Sequence, residues 1–253
     1  MQHIARIANI IFYVVLTSFI LFLIYLQYSI GFLSSYYTIF TSPKIESFEV
    51  VVARYNEDLD WLVELFPNNK VTIYNKGENN LSLPEHYKII NLPNVGRESH
   101  SYLYHIIHNY SHLSDRTLFL QGNPFDHFPF YPLTVYQYKG LKKQLNNSFS
   151  NNIIVNPKLV NCEEIYVEKY SDVVCNKEYD LAGFARKFLN KEVSPLTIKY
   201  SSGANFAVDK GQILCHDVSF YKRLFATLDK HASPIEGFYL ERLWDSVFDC
   251  SSF

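Results

Sequence analysis

The chain has 253 residues, the length of one ordinary domain plus a tail. Apolar residues make up 48%, ample for a core, and the formal net charge of −2 leaves no strongly basic surface to call for nucleic acid. The compositional signs of disorder are absent as well.

In chain order, the first signal is apolar. Residues 7–43 contain no Lys, Arg, Asp or Glu. The stretch from Ile10 to Leu33 is about 24 residues, or roughly 36 Å as a helix, enough to span a bilayer with some tilt. It is longer than the apolar region of a cleaved signal peptide and lacks a clear small-residue cleavage site. Residues 1–33 therefore read as a cytosolic tip and a transmembrane anchor. Arg6 before the span, against Lys44, Glu46 and Glu49 after it, favours a cytosolic N-terminus. The domain would then face a lumen or the outside. Residues 34–47 form a short stem containing Pro43, and residues 48–253 form the domain. Asn80, Asn109 and Asn146 each begin an Asn-x-Ser sequon, and Cys162, Cys175, Cys215 and Cys250 permit disulfides in an oxidising compartment.

The domain opens with a strand, Phe48 to Ala53, then a polar turn and a helix start. VTIYNKG and YKIINLPN read as two further strands, VGRESHSYLYHIIHNYSHL as a helix and TLFLQG as a fourth strand. Strands alternating with helices imply βαβ units and a mainly parallel sheet, with ligands bound beyond the carboxyl ends of the strands. The loops ARYNED, YNKGEN, LPNVGRE and QGNPFDH should therefore gather on one edge. Leu141 to Asp180 has no clean period and reads as a long loop or lid with short elements. LAGFARKFLN, HDVSFYKRLFATLD and PIEGFYLERLWDSVF read as helices, and IKYSSGANFAVDKGQIL as a strand punctuated by glycine.

Several positions carry chemistry. Asn56, Glu57 and Asp58 can bind a nucleotide base or ribose by hydrogen bonds or cap the helix near Leu59, and Arg54 joins Asn56 and Glu57 as a candidate for binding the nucleotide-sugar. Asn94, Gly96 and Arg97 stand at a helix start, where free N–H groups suit a phosphate and Arg97 can grip a diphosphate or pair with Glu98 or Asp126. Gln121 and Asn123 can donate to a sugar or diphosphate. Asp126 and His127 offer an oxygen and a nitrogen that both ligate Mn²⁺ or Zn²⁺. Glu236 and Glu241 flank an aromatic helix, where a desolvated carboxylate can act as a base on an acceptor hydroxyl. In the helix after Gly96, Leu103, Ile106, Ile107 and Tyr110 form a core stripe. His105, His108 and His112 lie nearly opposite it and read as solvated histidines rather than a metal site.

VVARYNEDLDWL, IYNKG, LPNVGRESHSYLYHII and LFLQGNPFDH, in that order over Val50 to Phe128, resemble the family called domain of unknown function 3431. That pattern in turn is similar to the GT-A glycosyltransferases, a similarity extended more loosely by GANFAVDKGQILCHDVSFYKRL and EGFYLERLW. The resemblance implies a GT-A-like, mainly parallel sheet flanked by helices, a nucleotide-diphospho-sugar donor, a glycan or glycoprotein acceptor and a divalent metal such as Mn²⁺. It departs from the pattern where metal-dependent GT-A enzymes place Asp-x-Asp, because Gln121-Gly-Asn stands there. Three readings are open: a membrane-anchored glycosyltransferase-like enzyme, with Glu241 or Glu236 as base; a non-catalytic carbohydrate-binding or scaffold protein on the same fold; and a metal-dependent hydrolase using His100, His105 or His127.

Overall fold

The structure is a computed structural model and describes residues 13, 16–19, 22, 48–125, 152–154, 173–176, 178–193, 198–200, 202–228 and 230–252. Most of the expected span Ile10–Leu33, the stem, and the candidate metal ligands Asp126 and His127 lie outside these residues. Among the described residues, no helix is long and apolar enough to cross a membrane. The chain separates into two compact units, Met1–Lys44 and Ile45–Phe253. The sheet and the helices that flank it belong to the second.

The elements run β1 (Phe48–Arg54), α1 (Asp60–Leu65), β2 (Lys70–Asn75), β3 (Lys88–Asn91), α2 (Arg97–Asn109), β4 (Arg116–Gln121), β5 (Asn152–Ile154), α3 (Leu181–Phe184), β6 (Ile198–Tyr200), β7 (Phe206–Asp209), α4 (Lys210–Leu214), α5 (Val218–Phe225) and α6 (Ile235–Val247). The five-stranded sheet has the order β3-β2-β1-β4-β7, with β1 to β4 parallel and β7 antiparallel to β4. A mainly parallel sheet flanked by helices is the α/β fold expected from the sequence. β5 and β6 form a separate antiparallel pair.

The central strands are apolar on both faces, as a sheet covered on both sides requires. Val50, Val52, Val71, Ile73, Leu118 and Leu120 point to one core with Leu62 and Phe66 of the α1 region. Val51, Ala53, Tyr74, Phe119, Phe206 and Val208 point to a larger core with α2, α5 and α6. The register pairs Val52 with both Ile73 and Leu120, so one alternation serves three strands.

The structure corrects two expectations, the exposure of His105 and the single strand from Ile198. α2 is buried on two sides, because it packs against β1 and also against α5 and α6. His105 is accordingly in the core rather than on a solvated face, while His108 and His112 are exposed. The segment read as one strand splits into β6 and β7, in different sheets. Between them Gly203 (φ 70°) and Ala204 (φ 51°) turn the chain through left-handed backbone. LAGFARKFLN begins as the α-turn α3 but continues as a π-helical turn, Ala185–Leu189. A disulfide joins Cys215, at the end of α4, to Cys250, and Cys175 is also disulfide-bonded.

Candidate functional site

The last residues of β1, β2 and β3 are polar and in register, Arg54 beside Asn75 and Asn75 beside Asn91. Their side chains bond across the strand ends. Arg54 Nη1 donates to Asn75 Oδ1 at 2.7 Å, and Asn75 Nδ2 donates to Asn91 Oδ1 at 3.2 Å. Arg54 also reaches the Glu57 carbonyl through Nε at 2.9 Å, the Glu78 carbonyl through Nη1 at 2.9 Å and Asn80 Oδ1 through Nη2 at 2.9 Å. Buried and largely committed, this guanidinium organises the loops after β1 and β2. Asn56 Oδ1 accepts from the Glu78 N–H at 2.9 Å and ties the same two loops. Asp58 accepts from the Asp60 N–H at 2.7 Å, the local turn that starts α1.

The loops after β1 and β4 interlock as closely. Glu57 Oε2 accepts from the Tyr55 N–H at 2.6 Å, and a Cβ on Gly122 would fall 2.4 Å from that oxygen. The Trp61 indole donates to the Gly122 carbonyl at 2.9 Å and meets Phe125 edge-on at 5.4 Å. The Gln121 N–H donates to Asn205 Oδ1 at 2.8 Å, anchoring the end of β4 to the start of β7.

Above this framework lies a cavity of about 420 Å³. Arg54, Glu57, Asn94, Arg97, Gln121 and Asn123 line it, while Asn56 lines an adjoining cavity of about 340 Å³. Four further wall residues carry polar groups that the sequence pattern does not single out: Tyr55, Lys76, Glu98 and Ser233. Strand order reverses between β2 and β4 about β1, so the cavity stands at the switch point where open α/β sheets bind ligands.

The start of α2 differs from a simple anion site. Gly96 (φ 64°) and Arg97 (φ 52°) are both left-handed. Their N–H groups donate to the carbonyls of His231 at 2.8 Å and Ala232 at 3.2 Å, so these two amides are not open to a phosphate. Lys76 Nζ donates to the carbonyls of Val95 and Arg97 and holds the turn from the other side. A non-glycine residue in this region costs about 1–2 kcal/mol and persists where its surroundings over-determine it, a pattern that clusters at ligand sites. The side chain of Arg97 lies 4.1 Å over the Phe238 ring, with Nε 3.6 Å from Glu98 Oε2. Gly237 makes room for it, since a Cβ there would sit 3.2 Å from Arg97 Cδ.

Glu98 is buried, and its Oε1 has no hydrogen-bond partner among the described residues. Burial pushes its carboxyl above the ordinary range; Arg97 opposes the shift and Glu241 adds to it. Burial also brings the Lys76 ammonium down to about 7, against the pull of Glu98. Both shifts favour the neutral forms of these two groups. Tyr102, buried beneath, has a hydroxyl without a partner among the described residues.

Glu241 and Glu236 do not line this cavity. Five residues apart on α6, they point about 140° from each other. Glu241 Oε1 accepts from the Gly203 N–H at 3.0 Å, and Arg242 approaches Oε2 at 3.4 Å, so Glu241 holds the left-handed turn before β7. Glu236 Oε1 accepts from Asn176 Nδ2 at 2.7 Å and from the Tyr179 hydroxyl at 2.9 Å. Among the described residues, no group of three His, Cys, Asp or Glu could hold a metal ion.

A family model described as protein of unknown function (DUF3431) matches residues 50–252. The chain belongs to that family. No curated protein and no solved structure matches it. The DUF3431 match runs well past the motifs between Val50 and Phe128. It takes in α6, so the whole wall from Arg54 to Ser233 and the Arg97–Phe238 contact lie inside the family's extent.

Proposed function

We infer that this DUF3431 protein is a GT-A-like glycosyltransferase, which transfers a sugar from a nucleotide-diphospho-sugar to an acceptor hydroxyl on a glycan or glycoprotein. The observation that carries this reading is the polar cavity outside the carboxyl ends of β1, β2 and β4, with Arg97 and Lys76 as cations and Glu98 as a buried carboxylate. Its strand order begins 3-2-1-4, the order of dinucleotide-binding sheets, which bind their ligand at this crevice. In this reading Arg97 grips the diphosphate as a two-pronged donor, with Lys76 as a second positive charge. Gln121 and Asn123 meet sugar hydroxyls, and the half-exposed Tyr55 ring is a platform at the rim. Asp126 and His127, just beyond Phe125, would hold a divalent metal such as Mn²⁺. The enzyme would be anchored by its N-terminal helix, with the domain in the lumen of the Golgi or endoplasmic reticulum.

The base in this reading is Glu98, because among the described residues it is the carboxylate that combines a place on the cavity wall with burial. Its ionised form takes the proton of the acceptor hydroxyl as that oxygen bonds to the anomeric carbon and the bond to the diphosphate breaks. Glu241 acts on it through charge. Release of nucleoside diphosphate from a donor tests this. Glu98→Gln is expected to lower the turnover number by about 100-fold or more while donor binding persists. The commitment of Glu236 and Glu241 to protein donors favours a second reading, a non-catalytic carbohydrate-binding protein. Donor binding without turnover in the wild type would decide for that one.

A further inference from the structure

Of the sequons, Asn146 lies outside the described residues, and the other two sit in opposite settings. Asn109 is the last residue of α2 and half-buried; its Nδ2, the atom a glycan would occupy, donates to the His105 carbonyl at 2.8 Å. The next residue is also engaged, since the Tyr110 hydroxyl donates to the His216 carbonyl. Asn80 and Ser82 are both exposed, in a loop without regular structure between β2 and β3. Asn80 makes its hydrogen bond through the other end of the amide, with Oδ1 accepting from Arg54 Nη2 at 2.9 Å. That bond fixes the carbonyl oxygen toward the protein and leaves Nδ2 on the far side of the same planar group. The disulfide between Cys215 and Cys250 belongs to an oxidising compartment, where N-glycosylation takes place.

We propose that Asn80 is a site of N-linked glycosylation and that Asn109 is not. In the transfer, Asn80 Nδ2 bonds to the anomeric carbon of a lipid-diphospho-oligosaccharide. The bond from that carbon to the diphosphate oxygen breaks, the lipid diphosphate leaves, and the amide gives up one proton. The modified amide keeps its Oδ1, so the bond from Arg54 survives. The glycan stands at the 340 Å³ cavity that Asn80 and Ser82 line and leaves the 420 Å³ cavity, which neither residue lines, uncovered. The proposal does not depend on the transferase reading.

The test is mass spectrometry of peptides from the full chain produced in eukaryotic cells, after enzymatic removal of N-glycans in heavy-oxygen water, which labels each formerly glycosylated asparagine as aspartate. Labelling is expected at Asn80, absent at Asn109, abolished at Asn80 by Ser82→Ala and retained by Ser82→Thr. Ser82→Ala leaves Asn80 and its Arg54 bond intact, so loss of label reports the sequon rather than the fold. An unlabelled Asn80 in the wild type, or a labelled Asn109, would overturn the proposal.

Discussion

Gly77→Ala is expected to destabilise the domain by about 3 kcal/mol or more and to disorganise the cavity. A Cβ at Gly77 would fall 1.7 Å from the Tyr55 carbonyl oxygen and 2.3 Å from Asn56 Oδ1. The nearer obstacle is backbone, so no rotation of a side chain relieves it. The loop after β1 has to move, and with it go the bonds by which Arg54 and Asn56 join that loop to Glu78 and Asn80. Gly211→Ala is the matched control. A Cβ there meets nothing within 4 Å inside α4, and alanine is expected to gain up to about 1 kcal/mol of helix preference. Urea denaturation of the two variants separates the cases. A Gly77→Ala domain as stable as the wild type would show that the two loops do not interlock as described.

The second large effect is loss of stability in mild acid. Burial, with Lys76 nearby, brings His100 down to about 3. Burial also brings His105 down to about 4, with the neighbouring Glu49 carboxylate opposing the shift. In the unfolded chain both titrate near 6.5. Because the folded values are depressed, the unfolded state binds more protons below 6.5. Stability from this source is therefore complete above that pH and is lost as pH falls toward 4 and 3. Each proton contributes up to about 1.36 kcal/mol per pH unit, so the two together remove about 4 kcal/mol by pH 5. That is comparable with the whole stability of a modest domain. Glu98 works the other way, since its carboxyl is raised and the folded state takes up that proton first. Glu49 is lowered overall: burial pushes it up, but His105, Lys70 and Thr72 together push it further down, so its contribution is lost only at still lower pH. Denaturation between pH 7 and 5 should show stability falling as pH drops toward 5 in the wild type, with a slope there about one proton steeper than in His105→Gln. A flat profile over that range would contradict the burial of both rings as neutral groups.

The parts legible in the sequence were those set by local pattern. Continuous apolar runs such as Val50–Ala53 and Leu118–Leu120 mark strands covered on both faces, and the polar residues after them mark one edge of the sheet. Position alone therefore groups Arg54, Glu57, Asn94, Arg97, Gln121 and Asn123, and they line one cavity. What was not legible depends on distant packing. His105 lies opposite the apolar stripe of α2, and it is buried because that face meets the sheet, where the ring touches Tyr74 and Phe119 and lies near Glu49. Glu98 looks like an ordinary first-turn acid until α6 closes over it. Lys76 follows β2 as any loop lysine might, and its ammonium is desolvated only because the turn at Val95–Arg97 folds onto it. Glu236 and Glu241 shared an aromatic setting in the sequence, yet helical geometry sends them to different partners. The signal that could have found Glu98 was its place directly after Gly96-Arg97, at the mouth of a strand-to-helix turn.

Binding of a nucleotide-diphospho-sugar in the 420 Å³ cavity underlies the whole transferase reading. It is measured most directly as the thermal midpoint of the protein with UDP-, GDP- and CMP-sugars, with and without Mn²⁺. Ligand at 100 times its dissociation constant adds about 2.7 kcal/mol of stability, a readily measured shift. A shift is expected with one nucleotide class, and it is expected to be lost in Arg97→Ala. No shift with any donor in folded protein, or a shift that Arg97→Ala leaves intact, would contradict binding at this site.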